Sequence, residues 1–148
     1  ADAYAKGLSG FNLSAAYQAS KKTLAEKSYL PWTRRPKGEL SEFMDREGYF
    51  PGLDIGEKET VPEVTLWEKR QSVAVSLAAA YDYWCLSQLA KFSGHDVESA
   101  DYLRRSYDYR KLFNYDTGFF HPKNKKGRFI EPFNYELSGG LGARDYNC

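Results

Sequence analysis

The stretch from Ser72 to Phe92 constrains the fold more than any other part of the chain, because its apolar residues follow the period of one long helix. One stripe consists of Ala74, Ala78, Tyr81, Cys85, Leu89 and Phe92, and a second consists of Val73, Leu77, Ala80 and Trp84. A helix that is apolar over most of its circumference is buried. The sequence therefore predicts that this helix is enclosed by other elements.

The segment that follows has the pattern of a half-exposed helix. Asp96 is placed to cap it, and its polar stripe lies opposite the apolar residues Ala100, Leu103 and Tyr107. The polar stripe consists of Asp101, Arg104, Arg105, Asp108 and Lys111. An enclosed helix followed by a half-exposed one predicts a mainly all-α fold, organised as a double layer in which outer helices wrap inner ones.

Capping residues predict three shorter helical pieces. Residues 2–6 resemble the last turn of a helix that ends at Gly7, and Glu39 to Glu47 form a short helix closed by Gly48. Asn12 caps a helix that begins at Leu13, although Asn12-Leu13-Ser14 also fits a glycosylation sequon.

Two irregular regions separate or follow the predicted helices. Residues 48–70 form a long connection whose Tyr49, Phe50 and Trp67 are expected to pack against the next helix or to line a site. After Asn114 the helices end, and the turn residues around Gly118 predict an irregular β-hairpin near the C-terminus.

Composition excludes several classes of protein. The net charge is +1, so the chain lacks the basic footprint of a nucleic-acid binder, and the local excess of Lys and Arg between residues 104 and 128 predicts a solvated face. Twelve Tyr and three Trp favour partly wet clefts or interfaces, or a tyrosine-rich core. No segment has the pattern of a signal peptide or approaches the length of a membrane span, so no membrane partner is expected.

Cysteine and histidine give no metal-binding pattern. Cys85 and Cys148 have no metal spacing and do not constitute a disulfide framework; Cys85 is predicted to be a small buried apolar residue. His95 is expected at the surface of an interhelical turn, and neither it nor His121 has a second ligand at a useful spacing.

The acidic residues and the C-terminal segment are the candidates for chemistry. Glycoside hydrolysis requires two carboxyl groups in one pocket, and the candidate carboxylates are Glu57, Glu59, Glu63, Glu68, Glu131, Glu136 and Asp145. The last ten residues are GGLGARDYNC, and they include Arg144, Asp145 and Tyr146. Their combination of charged and aromatic side chains suits the binding of a sugar substrate. The alternative for Asp145 is a local ion pair or cap.

Several segments together resemble glycoside hydrolase family 92. They are DAYAKGLSGFNLSAAYQA, GYFPG, SVAVSLAAAYDYWCLSQLAKFSGH, YLRRSYDYRKLFNYDTGFFHPKNKKGRF and ARDYNC, in consistent order over nearly all of the chain. Many relatives have Glu where this sequence has Ala78, which weakens any polar role for that helix.

The resemblance implies a calcium-dependent, inverting, exo-acting α-mannosidase of the α-1,2 type. Its fold pairs an N-terminal β-sandwich with an (α/α)6 barrel, so residues 1–148 are expected to be a single piece of that catalytic domain. Tyr146, Asn147 and Cys148 align with the start of the family's general-acid segment, so no catalytic residue and no calcium ligand carries over to this chain.

The resemblance also sets the expected partners and the alternatives. Mannose-containing glycans and the remaining segments of a parent enzyme are the expected partners, in a periplasmic or extracellular setting, and the chain alone is expected to be inactive. We call the expectation that this chain is a piece of a larger catalytic domain the fragment hypothesis. It predicts exposed apolar faces on residues 72–92, because the segments that would cover them lie elsewhere in the parent enzyme. The alternatives are a standalone helical module that binds a glycan or a protein, and another (α/α)6 enzyme that acts on a different sugar.

Overall fold

The computed structural model of this chain describes residues 1–134, and these residues form a mainly helical structure, as predicted. Its elements are α1 (Asp2–Ala5), α2 (Leu13–Glu26), α3 (Glu39–Glu47), α4 (Ser72–Phe92), α5 (Asp96–Ser106), a 3-10 turn (Asp108–Leu112), β1 (Phe113–Asn114) and β2 (Phe119–Phe120). None of the described helices is both long enough and apolar enough to span a membrane.

Local sequence signals set most helix boundaries. The Asn12 side chain accepts a hydrogen bond from the backbone N–H of Ala15 at 2.9 Å, which confirms it as the cap of α2. Gly48 has a left-handed φ of 81° and closes α3, and Gly7 takes φ 84° just after α1. The predicted bounds of α3 and α4 are confirmed.

The predicted apolar stripes of α4 are only partly right, because Leu89 and Ala80 are buried but most of the buried face lies outside both stripes. Ala74 and Ala78 are exposed, and Tyr81 is 62% exposed. The buried face instead consists of Ser72, Val75, Ser76, Ala79, Ala80, Tyr83, Leu86, Ser87, Leu89 and Ala90. Alanine and serine dominate this face, so helices and loops approach the α4 backbone closely. Periodicity of large apolar residues could not identify it.

α5 folds back on α4 as a helical hairpin. Asp101 and Arg104 of its predicted polar stripe are exposed, but its predicted apolar face is wrong. Leu103 and Tyr107 are exposed, whereas Ser106 is buried and Ser99 donates a hydrogen bond to the Ser87 carbonyl at 2.9 Å. The helix begins at Asp96, with His95 in the N-cap position. The two helices therefore meet through hydroxyl and aromatic side chains.

α2 packs against the C-terminal half of α4. Tyr17 is fully buried beside Leu86 and Leu89, and its hydroxyl donates to Glu98 of α5. The partly exposed His95 ring stacks on Tyr17 with ring centroids 4.8 Å apart. The predicted position of His95 in an interhelical turn is confirmed.

A polar network connects α3, α4, α5 and the loop before α3. Tyr29 donates to Asp45 at 2.6 Å and lies 2.6 Å from the Tyr83 hydroxyl, to which Arg105 donates at 2.8 Å. Lys37 forms an ion pair with Asp45. Burial, with Tyr83 and Asp45 nearby, raises the pKa of Tyr29, so these hydroxyls stay neutral and hold the four segments together.

Residues 48–70 are irregular, as predicted, and they contribute large side chains to the core. Phe50 is fully buried against Val75 and Ala79, and its backbone N–H donates to Ser76 at 2.9 Å. Tyr49 packs against Phe43 and Leu112 in a second cluster. The prediction that Trp67 packs against α4 is wrong, because Trp67 is 82% exposed.

A buried ion pair between Glu59 and Arg70 joins two parts of the connection formed by residues 48–70. Arg70 is 3% exposed and Glu59 10% exposed; Arg70 Nε lies 2.6 Å from Glu59 Oε2, and its Nη2 lies 2.9 Å from Oε1. Arg70 Nη1 also donates to the Pro51 carbonyl at 3.0 Å. This paired geometry compensates the desolvation of both charges.

The C-terminal part of the described chain is an irregular hairpin, as predicted. β1 and β2 pair antiparallel, with Phe113 opposite Phe120, and Gly118 in the turn has φ 77°. His121 is fully buried here: Nε2 donates to the Ile130 carbonyl at 2.6 Å, and its ring stacks between Phe129 and Phe133. No pattern in the sequence indicated that His121 would be buried.

We expect Glu59→Gln to lower the free energy of unfolding by about 3–5 kcal/mol, because it leaves the Arg70 charge buried without a counter-charge. Asp101→Asn is the control, since it breaks the exposed Arg104–Asp101 pair and should cost at most about 1 kcal/mol. Urea unfolding followed by circular dichroism measures both. Equal effects would contradict the structural role of the buried pair.

Candidate functional site

The predicted substrate-binding residues Arg144, Asp145 and Tyr146 lie outside the described residues 1–134, as do Glu136 and Cys148. Their role stays a prediction. The described part contributes carboxylates, a cleft and two histidines as candidates for a site.

Most candidate carboxylates are held by local partners. Glu59 is paired with Arg70, as described above. Glu57 accepts a hydrogen bond from the backbone N–H of Asp54 at 2.9 Å, which closes a surface turn. Glu131 is 63% exposed, with Oε1 3.6 Å from Nε2 of His121. These three therefore have structural or surface positions, and the structure does not bring them into one pocket with each other.

Glu63 is the most buried of the candidate carboxylates, at 7% exposure. Its Oε1 accepts a hydrogen bond at 3.1 Å from the backbone N–H of Leu40, in the first turn of α3. The N-cap residue of α3 is Gly38, and a Cβ at that position would collide with the Glu63 carboxylate. Glu63 thus reaches across from the long connection and caps a helix that has no side-chain cap of its own.

The environment of Glu63 disfavours its charge. Its Oε2 is buried without a hydrogen-bond partner among the described residues. Burial raises the pKa of the Glu63 carboxyl, and the negative charge of Glu39 adds to the effect, while the bond from Leu40 opposes it. Because Glu63 is buried and accepts a hydrogen bond from the first turn of α3, its role is structural, as a helix cap, and it is not placed to bind substrate.

A cleft between the end of α2, the loop of residues 27–35 and α4 is the better candidate for binding. Its volume is about 580 Å³, and Leu24 of α2 and Ala78 and Ala79 of α4 form apolar walls. Lys27 and Arg34 line the same cleft and supply positive charge. A partly apolar cleft with a few polar groups is the usual form of a binding site.

The cleft continues along α2 and α4 as a second space of about 310 Å³. Ala19 and Ser20 of α2 and Cys85 and Leu89 of α4 line this part. Thr23, Leu24 and Asp82 line both parts, so the two spaces form one groove, which we call the α2–α4 groove.

Asp82 is the one carboxylate among the described residues that line either part of the groove. Asp82 is exposed to solvent, and partial desolvation by its neighbours raises the pKa of its carboxyl. The described part of the chain gives this side chain neither a hydrogen bond nor an ion pair. A carboxyl in this state can bind a cation or exchange a proton. Inverting hydrolysis of a glycoside needs a second carboxyl group, so the lining of the groove suits binding rather than catalysis.

The described residues do not fit a calcium site. Within residues 1–134, no group of three or more His, Cys, Asp or Glu side chains is arranged to hold a metal ion. Calcium prefers six to eight oxygen ligands. We therefore derive no chemical step through calcium from this part of the chain.

With this geometry established, comparison with known proteins identifies the class. The model of the "Glycosyl hydrolase family 92 catalytic domain" matches residues 1–146, which places the chain among the glycosyl hydrolases. The chain belongs to glycosyl hydrolase family 92. No curated protein matches it.

Solved structures show the same fold. An inverting mannosidase of family GH92 from Bacteroides thetaiotaomicron superposes with a TM-score of 0.68 at 24% identity, over 90% of this chain and 16% of its own. A family GH92 α-mannosidase from the same organism, in complex with mannoimidazole, has a TM-score of 0.65 at 25% identity, over 90% of this chain and 14% of its own. A second structure of that α-mannosidase has a TM-score of 0.65 at 26% identity, over 90% of this chain and 15% of its own. This chain thus spans about one sixth of the length of these mannosidases or less.

We expect Glu63→Gln to flatten the dependence of stability on pH. A carboxyl whose pKa is raised by folding binds protons more readily in the folded state, so stability falls as pH rises from about 4.5 through the folded pKa. The amide of Gln carries no charge and can keep the bond from Leu40, so this fall disappears in the variant. Urea unfolding between pH 4 and pH 8 measures it.

The exposed Glu42 on α3 provides the control, because Glu42→Gln should leave the pH dependence of the wild-type chain unchanged. Parallel pH profiles for wild type and Glu63→Gln would show that Glu63 is not held in the buried cap described above.

Proposed function

We propose that this chain is a segment of the catalytic domain of an exo-acting, inverting α-mannosidase that removes α-1,2-linked mannose from glycans. The observation that carries the proposal is the match of the family 92 catalytic domain to residues 1–146. The likeness to an inverting mannosidase, and to an α-mannosidase solved with mannoimidazole, supports the reaction class.

The proposed place of the segment is in the wall of an (α/α)6 barrel. The α4–α5 hairpin suits one inner and one outer helix, because α4 carries apolar side chains around its circumference and α5 has a charged outer face. In this proposal the remaining barrel helices and an N-terminal β-sandwich come from other parts of the enzyme.

The proposed chemistry requires two carboxyl groups about 6.5–9.5 Å apart, one to protonate the leaving oxygen and one to activate water on the opposite face of the sugar. We assign neither role to a described residue. Glu59 and Glu63 are engaged in the core, and Asp82 has no second carboxylate beside it in the groove. Arg144, Asp145 and Tyr146 remain the proposed contacts to mannose.

Calcium dependence and a periplasmic or extracellular location are part of the proposal through the family alone. The ligands for calcium would come from residues outside 1–134. The segment would contribute the barrel wall and the approach to the acid.

We expect the purified 148-residue chain to release no mannose from α-1,2-linked mannobiose, whereas the natural protein that carries this sequence releases it. Because the reaction inverts, the first product should be β-mannose, which proton NMR distinguishes from the α-anomer before mutarotation. Mannobioses with α-1,3 and α-1,6 linkages test the proposed preference for α-1,2.

Mannose release by the 148-residue chain would contradict its proposed dependence on other segments. Failure of the natural protein to cleave any of the three mannobioses would contradict the mannosidase activity. Tight glycan binding by the isolated chain, with no hydrolysis by the natural protein, would instead support a binding module.

A further inference from the structure

Aromatic side chains form a continuous row along the C-terminal hairpin and the 3-10 turn before it. Phe113 lies opposite Phe120 in the pairing of β1 and β2, and their ring centroids are 5.5 Å apart. Phe113 also meets Tyr115 edge-on at 5.0 Å, and Phe120 meets Tyr109 of the 3-10 turn at 6.2 Å. Aromatic pairs favour edge-to-face geometry at such distances, so these contacts connect the four rings.

Arg110 of the 3-10 turn lies among three tyrosines beside this row. Its guanidinium carbon is 4.6 Å from the ring centroid of Tyr107 and 5.9 Å from that of Tyr109. A side-chain hydrogen bond with Tyr109 is the largest cause of a raised pKa of the Arg110 guanidinium, and Tyr107 and Tyr115 add to the effect. We call this group the hairpin aromatic cluster, which consists of Tyr107, Tyr109, Arg110, Phe113, Tyr115 and Phe120.

The hairpin aromatic cluster is open to solvent although much of its surface is apolar. Tyr115 is 80% exposed and Tyr107 is 47% exposed, and Arg110 is exposed as well. Phe113 and Phe120 are half-buried and belong to paired strands, so the row of rings is anchored to the hairpin. Grouped, exposed apolar surface marks an interaction site, and a ligand that binds to anchored rings does not have to order them first.

The charge of Arg110 restricts what can cover this cluster. Within residues 1–134 Arg110 forms no ion pair; Asp108, the acidic residue nearest to it in the sequence, pairs with Lys111 at 2.8 Å. A protein segment that packed on the cluster without water would bury this guanidinium at a high energetic cost unless it supplied a carboxylate. A ligand rich in hydroxyl groups can accept hydrogen bonds from the several N–H donors of arginine and leaves the site hydrated.

A pyranose ring has the two kinds of surface that this cluster can bind. Its C–H groups pack on the face of an aromatic ring, and its hydroxyl groups lie at the rim. Tyrosine likewise combines an apolar body with a polar tip. The chain continues from this hairpin to Arg144, Asp145 and Tyr146, the proposed contacts to mannose, so the cluster and those contacts belong to consecutive parts of the sequence.

We infer that the hairpin aromatic cluster binds a sugar residue of the glycan that lies outside the cleavage pocket, with the sugar ring on Tyr115 and its hydroxyl groups bonded to Arg110. This assignment rests on the proposed function, because the sugar is taken to be part of the glycan from which mannose is removed. The high exposure of Tyr115 suits a residue of the glycan that remains in contact with water.

Binding of α-1,2-mannotetraose to the natural protein that carries this sequence tests the cluster. Saturating mannoimidazole, which is bound in one of the similar α-mannosidase structures, serves to block the cleavage pocket, and titration calorimetry then reports binding elsewhere. We expect the wild-type protein to bind the tetraose under this condition. Tyr115→Ala and Arg110→Ala should each weaken the affinity by at least about five-fold, because each removes one of the two contacts to the sugar.

Two further variants separate the sugar contact from general effects. Tyr115→Phe should keep most of the affinity, because it retains the ring. Arg104→Ala is the matched control for Arg110→Ala, since Arg104 is exposed on α5 and pairs with Asp101 away from the cluster, and it should leave the affinity unchanged. In kinetics, Tyr115→Ala should raise KM for the tetraose with kcat unchanged, as expected for loss of binding that is equal in the ground and transition states.

Failure of the tetraose to bind to a protein that does bind mannoimidazole would overturn the inference and leave the proposed function intact. Unchanged affinity in Tyr115→Ala, with a melting temperature lowered by several degrees, would identify the cluster as a packing surface and would also overturn it. Tetraose binding that depends on Tyr115 and Arg110, in a protein that does not bind mannoimidazole, would support the sugar site and contradict the mannosidase activity.

Discussion

Close packing against one face of α4 is the constraint on which the rest of the structure depends. Serine and alanine make up most of that face, so α5 and the long connection come near the helix backbone. Ser76 shows the consequence, because its hydroxyl donates to the Ser72 carbonyl at 2.6 Å and accepts the backbone N–H of Phe50 at 2.9 Å. The Ser76 side chain thereby accepts a hydrogen bond from a backbone N–H that belongs to an irregular segment and has no partner in a helix or sheet.

Side-chain polar contacts hold the irregular parts in place of regular hydrogen-bond ladders. The Arg70–Glu59 pair fixes the long connection, Glu63 caps α3 from a distant position in the chain, and Asp45 connects the loop before α3 to α4 and α5 through two tyrosines. Buried polar groups are costly unless they are satisfied. These contacts therefore make the positions of the loops specific, which leaves the α2–α4 groove as an open, defined surface.

The described residues form a scaffold whose own carboxylates do not constitute a glycosidase site. Family membership and the likeness to mannosidase structures support the proposed reaction class, whereas the geometry shows the scaffold and a groove in which Asp82 has no ion-pair partner among the described residues. Both are consistent with a segment that works together with other parts of a larger domain. The exposed apolar side of α4, which the fragment hypothesis predicted, agrees with this view.

The sequence by itself determined the family, the start of α2 and the bounds of α3 and α4. Helix ends depend on nearby residues, so Asn12, Gly48 and the 3.6-residue period were sufficient to predict α2, α3 and α4. Only the tertiary structure decided which faces are buried. Alanine and serine are compatible with either side of a helix, so the predicted stripes combined the exposed Ala74 and Ala78 with the buried Leu89 and Ala80. The burial of His121 depends on Phe129, Phe133 and the Ile130 carbonyl, which come together only when the hairpin folds.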